Sequence, residues 1–99
     1  MICGGFTGTD REPDDEDRAI LLSVKSDVEK RLSQQFSVFE AIAFQTQVVA
    51  GKNYIFKVRI SEDSFIHVKV CKPLPHTNQP PFVLSLLQGQ TLQSPIEPF

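Results

Sequence analysis

Apolar residues recur every three or four positions in the first third of the chain and every two positions after it. Ile20, Leu21, Val24, Val28 and Leu32 make up the first set, a single stripe along an amphipathic helix. Lys25, Glu29 and Lys30 lie opposite the stripe and are expected to face water. Asp14, Asp15, Glu16 and Asp17 come just before it, where carboxylates meet the positive end of a helix dipole. Pro13 suits the first helical position, because its missing N–H is not needed there. The acidic run could instead serve a partner, but its position and charge both match the signals of a helix start. The pattern predicts one long helix from Asp14, fraying around residues 33–35.

Beyond the helix the period drops to two. Tyr54, Phe56, Val58 and Ile60 alternate with Asn53, Ile55, Lys57 and Arg59; Ile66, Val68 and Val70 alternate with Phe65, His67, Lys69 and Cys71. Both runs have the pattern of half-buried strands, joined by the polar residues 61–64 as a hairpin connection. Residues 38–48 form a longer strand candidate with weaker alternation, Ile42 and Phe44 on one face and Ala41 and Ala43 on the other. Residues 82–87 suit a short final strand. One helix stripe and a one-sided sheet can bury each other without further elements. The expected fold is α+β: a curved four- to five-stranded antiparallel sheet wrapped around one long N-terminal α-helix, in a single domain over residues 1–99. The fifth strand would be a short N-terminal one.

Composition narrows the classes. The chain has 99 residues, 40% of them hydrophobic and 22% charged. A domain of this size buries roughly 65% of its unfolded surface, enough for one core without metal or disulfide staples. A net charge of −2 argues against a nucleic-acid partner. Lys52, Lys57, Arg59, Lys69 and Lys72 sit singly along the strands and read as a solvated sheet face. No apolar run approaches the roughly 20 residues that span a bilayer, and no signal peptide is visible at the N-terminus. Cys3 and Cys71 lie far apart, which fits two free thiols in a reducing, cytoplasmic setting.

Little in the chain suggests catalysis. His67 and Cys71 share a strand face but stand roughly 13 Å apart at standard strand rise, beyond hydrogen-bond reach. Two histidines and two scattered cysteines have no metal-ligand spacing, and no phosphate cradle, nucleotide fingerprint or serine elbow is present. The expectation is a protein that is not an enzyme and uses no cofactor or metal. His67 is expected at the surface of its strand and Cys71 half-buried and inert.

The chemistry that does stand out is apolar. Gln47-Val48-Val49-Ala50-Gly51 lies between two strand runs and should be a hairpin tip. Such tips normally carry Asn, Asp, Gly or Ser. Here valines occupy it, and Gly51 supplies the positive φ a tight turn needs. Exposed apolar residues at a turn mark an interaction site; burial of Val48 and Val49 in the core is the alternative. Gln47 to Gly51 matches the QVVAG signature of the cystatin superfamily. Met1-Ile2-Cys3-Gly4-Gly5 resembles the glycine-bearing trunk of type 1 cystatins, or stefins, and Leu74-Pro75-His76 resembles their second hairpin loop. The likeness runs from Met1 to about Leu87. Secreted type 2 cystatins carry a signal peptide and two disulfides; stefins carry neither.

The resemblance implies a reversible, competitive inhibitor of papain-like cysteine proteases (cathepsins), one inhibitor per enzyme. Trunk and hairpins would form an apolar wedge in the protease cleft. Val48, Val49, Ala50 and Gly51 would pack beside the catalytic cysteine, with Gln47 at the base of the tip. Leu74, Pro75 and His76 would lie on the leaving-group side, with Pro75 stiffening the turn. Ile2 and Cys3 would fill acyl-side subsites, and Gly4 would permit close approach. The tail departs from the family pattern: residues 91–99 carry Pro95 and Pro98 and one charged side chain, Glu97. Phe99 could cover an edge of the sheet. A non-inhibitory binding module that pairs an exposed strand edge with a partner is the competing reading. The protein is expected to be mainly a monomer, with strand exchange around residues 47–51 or a Cys3 disulfide as routes to a dimer.

Overall fold

The computed structural model describes residues 11–49 and 51–96. Within them the helical stripe is divided between α1 (Asp15–Ser23) and α2 (Lys25–Leu32). Four strands follow: β1 (Glu40–Val49), β2 (Gly51–Arg59), β3 (Phe65–Lys72) and β4 (Phe82–Gln90), with a 3₁₀ turn at Pro75–Thr77 before the last. The strands form an antiparallel meander in the order β1-β2-β3-β4. This is the expected α+β arrangement. Where the fifth strand was expected, the described residues hold an antiparallel bridge between Arg11 and Phe44 on the outer edge of β1; residues 1–10 lie outside them.

The helix starts at Asp15, two residues after Pro13, which was expected in its first position. Asp14 is the N-cap: its carboxylate accepts from the Asp17 backbone N–H at 2.9 Å, and Asp17 accepts from the Asp14 N–H at 3.1 Å. This reciprocal pair satisfies two donors that a helix start would leave open. Pro13 therefore precedes the cap and is buried. The helix is also not one unbroken rod. The Ser23 hydroxyl donates to the Ile20 carbonyl at 2.6 Å, the acceptor that Val24 N–H would use in an α-helix. Val24 bonds instead to the Leu21 carbonyl at 3.1 Å, with φ −106° and ψ 1°, and α2 resumes from there. Side-chain competition of this kind bends helices. Ser33 ends α2 in a left-handed conformation, φ 55°, where fraying was expected. Glu29 does not simply face water. It accepts from the Phe36 N–H at 2.8 Å and ties the helix end to the approach to β1.

The inner face of the sheet is built as the alternation predicts. Ile20, Leu21, Val24 and Val28 pack with Phe36, Phe44, Tyr54, Phe56, Val58, Ile66, Val68, Val70 and Val83 in one buried cluster. Tyr54 and Phe56 stack within it, centroids 5.3 Å apart, and Phe44 lies tilted against both at 5.8 Å. β1 needs a correction. Its register with β2 slips between Ala41, opposite Val58, and Ala43, opposite Lys57, so Ile42 is the extra residue of a bulge. Ala41 consequently faces the core with Phe44, and Ile42 lies in an outer groove beside Arg59, Phe65 and Leu92.

The outer face differs more. Lys57 was expected in water and His67 at the surface, yet they are 4% and 1% exposed. Ile55 and Phe65 on the same face are also buried. For Lys57 and Phe65 the segment after β4 supplies cover. Residues 91–94 turn back, the Ser94 N–H bonding to the Thr91 carbonyl at 3.1 Å and the Thr91 N–H to Ser94 Oγ at 2.9 Å. Lys57 Nζ then donates to the carbonyls of Leu92 and Ser94, both at 2.6 Å. Ile96 is buried, although neither it nor Ile55 belongs to the inner cluster. The tail is a second layer on the back of the sheet. Phe99, expected at a sheet edge, lies outside the described residues.

Candidate functional site

The first hairpin is paired along its whole described length. Gln47, Val48 and Val49 pair with Asn53, Lys52 and Gly51, so the strand pairing runs up to both sides of position 50. Gly51 has φ +112°, a conformation that side-chain-bearing residues rarely adopt. It is also crowded from the other side. A Cβ on Gly51 would lie 2.6 Å from the Lys72 carbonyl oxygen and 3.2 Å from the Pro73 Cα. The last turn of the first hairpin therefore rests on the backbone where β3 passes into the second loop. Lys52 pairs in register with Lys72, which fixes that contact from the strand side.

The second loop is stiffened by its own backbone. The Thr77 N–H and hydroxyl both donate to the Leu74 carbonyl, at 3.0 and 2.7 Å. Asn78 then reverses the chain in a left-handed conformation, φ 54°. Leu74 and His76 are exposed at this loop, with Leu74 among the exposed large apolar residues. The two hairpin segments singled out from the sequence thus adjoin at one end of the sheet. Ala50, the trunk residues Ile2, Cys3 and Gly4, and the side chains of Val48, Val49 and Pro75 lie outside the described residues. Arg11 gives one further direction. Its bridge to Phe44, with N···O distances of 2.8 and 3.0 Å, is antiparallel, so its N-terminal side points the way β1 runs, toward Val49.

The helix start lies at this same end, a placement the sequence did not announce. Lys72 pairs with Glu16 at 3.3 Å, an exposed contact of about 0–1 kcal/mol. The Lys52 ammonium sits 5.2 Å from the Tyr54 ring centroid. Burial raises the Asp17 carboxyl, while the hydrogen bond from the Asp17 backbone holds Asp14 low. Burial, with the nearby Asp17, Glu16 and Asp14 carboxylates, pushes the Tyr54 phenol up to about 12. The aromatic base of the hairpin therefore stays neutral at any physiological pH. Among the described residues, no three His, Cys, Asp or Glu side chains group in a way that could hold a metal. Nor is any helix there long and apolar enough to cross a membrane.

Similarity to known proteins fits this geometry. The cystatin domain model matches residues 6–90. The chain belongs to the cystatin family. It is 45% identical to cystatin-B of Bos taurus over 80 residues, 81% of each chain. It is 46% identical to stefin-C of the same species over 77 residues, 78% of this chain and 75% of that one. Human cystatin-B is 39% identical over 91 residues, 92% of this chain and 89% of its own. These relatives place the chain among the type 1 cystatins, or stefins, within a family of cysteine protease inhibitors. The family match stops at Gln90, the last residue of β4, so the strap over the outer face lies beyond it.

Proposed function

We propose that this stefin is a reversible, tight-binding competitive inhibitor of papain-like cysteine proteases of the cathepsin class, acting in the cytoplasm as one inhibitor per enzyme. The observation that carries the reading is the approach of Gly51 to the Lys72 carbonyl, which makes one edge out of two hairpins. Val48, Val49, Ala50 and Gly51 would enter the protease cleft beside its nucleophile. Leu74, Pro75 and His76 would fill the leaving-group side, and Gln47 would support the tip. Neither loop presents a bond that the enzyme must cut. Blockade needs only shape, apolar contact and rigidity.

Rigidity favours this use of the edge. A hairpin paired through Val49 and Gly51 and a loop closed on the Leu74 carbonyl hold their backbones before binding, so docking sacrifices little conformational entropy. Protease–inhibitor interfaces of about 1,600 Å² are among the tightest known. The trunk residues Ile2, Cys3 and Gly4 would add contacts on the acyl side. Six residues lie between Gly4 and Arg11, seven steps with an extended reach of about 23–25 Å. The five steps from Phe44 to Val49 span about 17 Å, so the trunk can reach the tip. Its contribution would appear mainly as slower release.

One observation favours a second reading, a module that pairs through a strand edge. β4 is an edge strand without charged side chains, and Phe82, Leu84 and Leu87 on it are exposed. Against it, Leu84 is a bulge residue and Arg31 Nη2 donates to the Val83 carbonyl at 3.2 Å, both of which blunt the edge.

Titrating papain with the purified protein separates the two. Complete loss of activity at a one-to-one ratio is expected, and residual activity at clear excess would overturn the proposal. Gly51→Ala should weaken inhibition at least tenfold, because the added methyl meets the Lys72 carbonyl and parts the hairpins. An edge-pairing module would leave papain untouched and keep its partner through that substitution.

A further inference from the structure

Leu74 has its backbone held on both sides while its side chain is left free. On the amino side, a Cβ built on Gly51 would lie 3.4 Å from the Leu74 nitrogen, so the first hairpin rests against it. On the carboxyl side, the Leu74 carbonyl accepts two bonds from one residue. The Thr77 N–H donates at 3.0 Å and the Thr77 hydroxyl at 2.7 Å. Beyond Thr77 the chain leaves through residues that restrict it: Asn78 at φ 54°, then Pro80 and Pro81, whose rings fix φ.

The core does not use Leu74. Its side chain is 38% exposed and belongs neither to the inner cluster nor to the partly buried residues packed against that cluster. Thr77 is exposed as well. The turn itself does not require the hydroxyl either. The backbone bond from residue 77 closes the 3₁₀ turn at Pro75–Thr77, and any residue with an N–H could supply it. What the hydroxyl adds is a second hold on the Leu74 backbone. An apolar side chain displayed on a fixed backbone is the form of a preorganised anchor, since little freedom is left to lose when a partner arrives.

We propose that Thr77 is a positioning residue of the inhibitory edge. Its hydroxyl fixes Leu74 as the anchor of the second loop, set against an apolar wall on the leaving-group side of the protease cleft. This role rests on the inhibitor reading and adds to it a residue that governs how slowly the complex comes apart. Thr77 acts through Leu74 and needs no contact of its own with the enzyme.

The test follows release of the full chain from papain, in progress curves after dilution of the complex into excess substrate. Thr77→Val keeps the side-chain shape and the backbone bond but loses the hydroxyl. It should dissociate about fivefold faster, as expected for the loss of one hydrogen bond, with association changed by less than about twofold. Thr77→Ser keeps a hydroxyl and should release at the wild-type rate. Leu74→Ala should release roughly tenfold faster or more. Adding Thr77→Val to Leu74→Ala should change release by less than about twofold, because the anchor on which the hydroxyl acts is gone. Hydrogen exchange of the free protein reads the loop without any protease: the amide of residue 77 should lose protection in Thr77→Val while those of β3 keep theirs.

Release of Thr77→Val at the wild-type rate would overturn the proposal. So would an equal acceleration with and without Leu74, fast release of Thr77→Ser, or unchanged exchange at residue 77. Papain left active by the wild type is a different result: it would sink the inhibitor reading itself, and this role with it.

Discussion

The two faces of the sheet are both dry, but for different reasons. On the inner face, Tyr54, Phe56, Val58, Ile66, Val68 and Val70 meet the stripe of α1 and α2. Every participant there is apolar or aromatic, and the period of the sequence gives the pairing away. On the outer face Ile55, Lys57, Phe65 and His67 are equally inaccessible, although half of them are polar. Over Lys57 and Phe65 lies a strap lacking regular secondary structure, held by the lysine, which donates to its carbonyls. Apolar layers close by shape and area alone. A layer containing a buried ammonium closes only if acceptors are delivered to it, since an unpaired buried charge is costly.

That contrast can be broken most forcefully by paired truncations. Phe56→Ala should cost about 3–5 kcal/mol of global stability, because the stacked rings around it cannot collapse into the space. Ile55→Ala, its outward neighbour, should cost about 2 kcal/mol, near the lower end for such a change, because the strap can settle. Urea denaturation of both variants measures the difference. Equal costs would mean that the outer layer is as rigid as the core.

A smaller effect is expected from the lysine. Lys57→Met should lose about 1.5–3 kcal/mol, the range for hydrogen bonds from a charged group. The loss should appear in the exchange of amides in residues 91–96 before those of β2. Simultaneous exchange of both would show that strap and sheet open as one unit.

The smallest effect concerns the inner face at high pH. Tyr54 has a folded value pushed up from 10.0 to about 12, chiefly by burial. Its contribution to stability is therefore fully present below pH 10 and is lost as pH rises toward 12, since the unfolded chain gives up the phenolic proton first. Urea midpoints between pH 9 and 11 should fall more steeply for the wild type than for Tyr54→Phe. Parallel slopes would mean that the phenol is less enclosed than the structure shows.

Much of this fold could be read before any coordinates. Spacings of three and four placed Ile20, Leu21, Val24, Val28 and Leu32 on one face, and spacings of two placed the inner residues of β2 and β3 opposite them. These patterns are legible because each is a local consequence of backbone period. Gly51 was legible for the same reason, as its positive φ is a demand of the turn itself. The break at Val24 was not, since it depends on a Ser23 hydroxyl choosing the Ile20 carbonyl. The bulge at Ile42 also escaped, because one inserted residue reverses the facing of its neighbours without altering composition.

For the candidate site, the sequence identified the segments and the tertiary structure decided their company. The apolar tip at residues 47–51 and the loop at Leu74 stand out in the linear chain, and family likeness groups them. Only the meander, with Gly51 set against the Lys72 carbonyl, makes them neighbours. The outer face shows the same division more sharply. Alternation determined that Lys57 and His67 point away from the helix. Whether the Lys57 direction led to water depended on a tail whose contact at Leu92 lies 35 residues further along the chain, where nothing local to β2 could announce it.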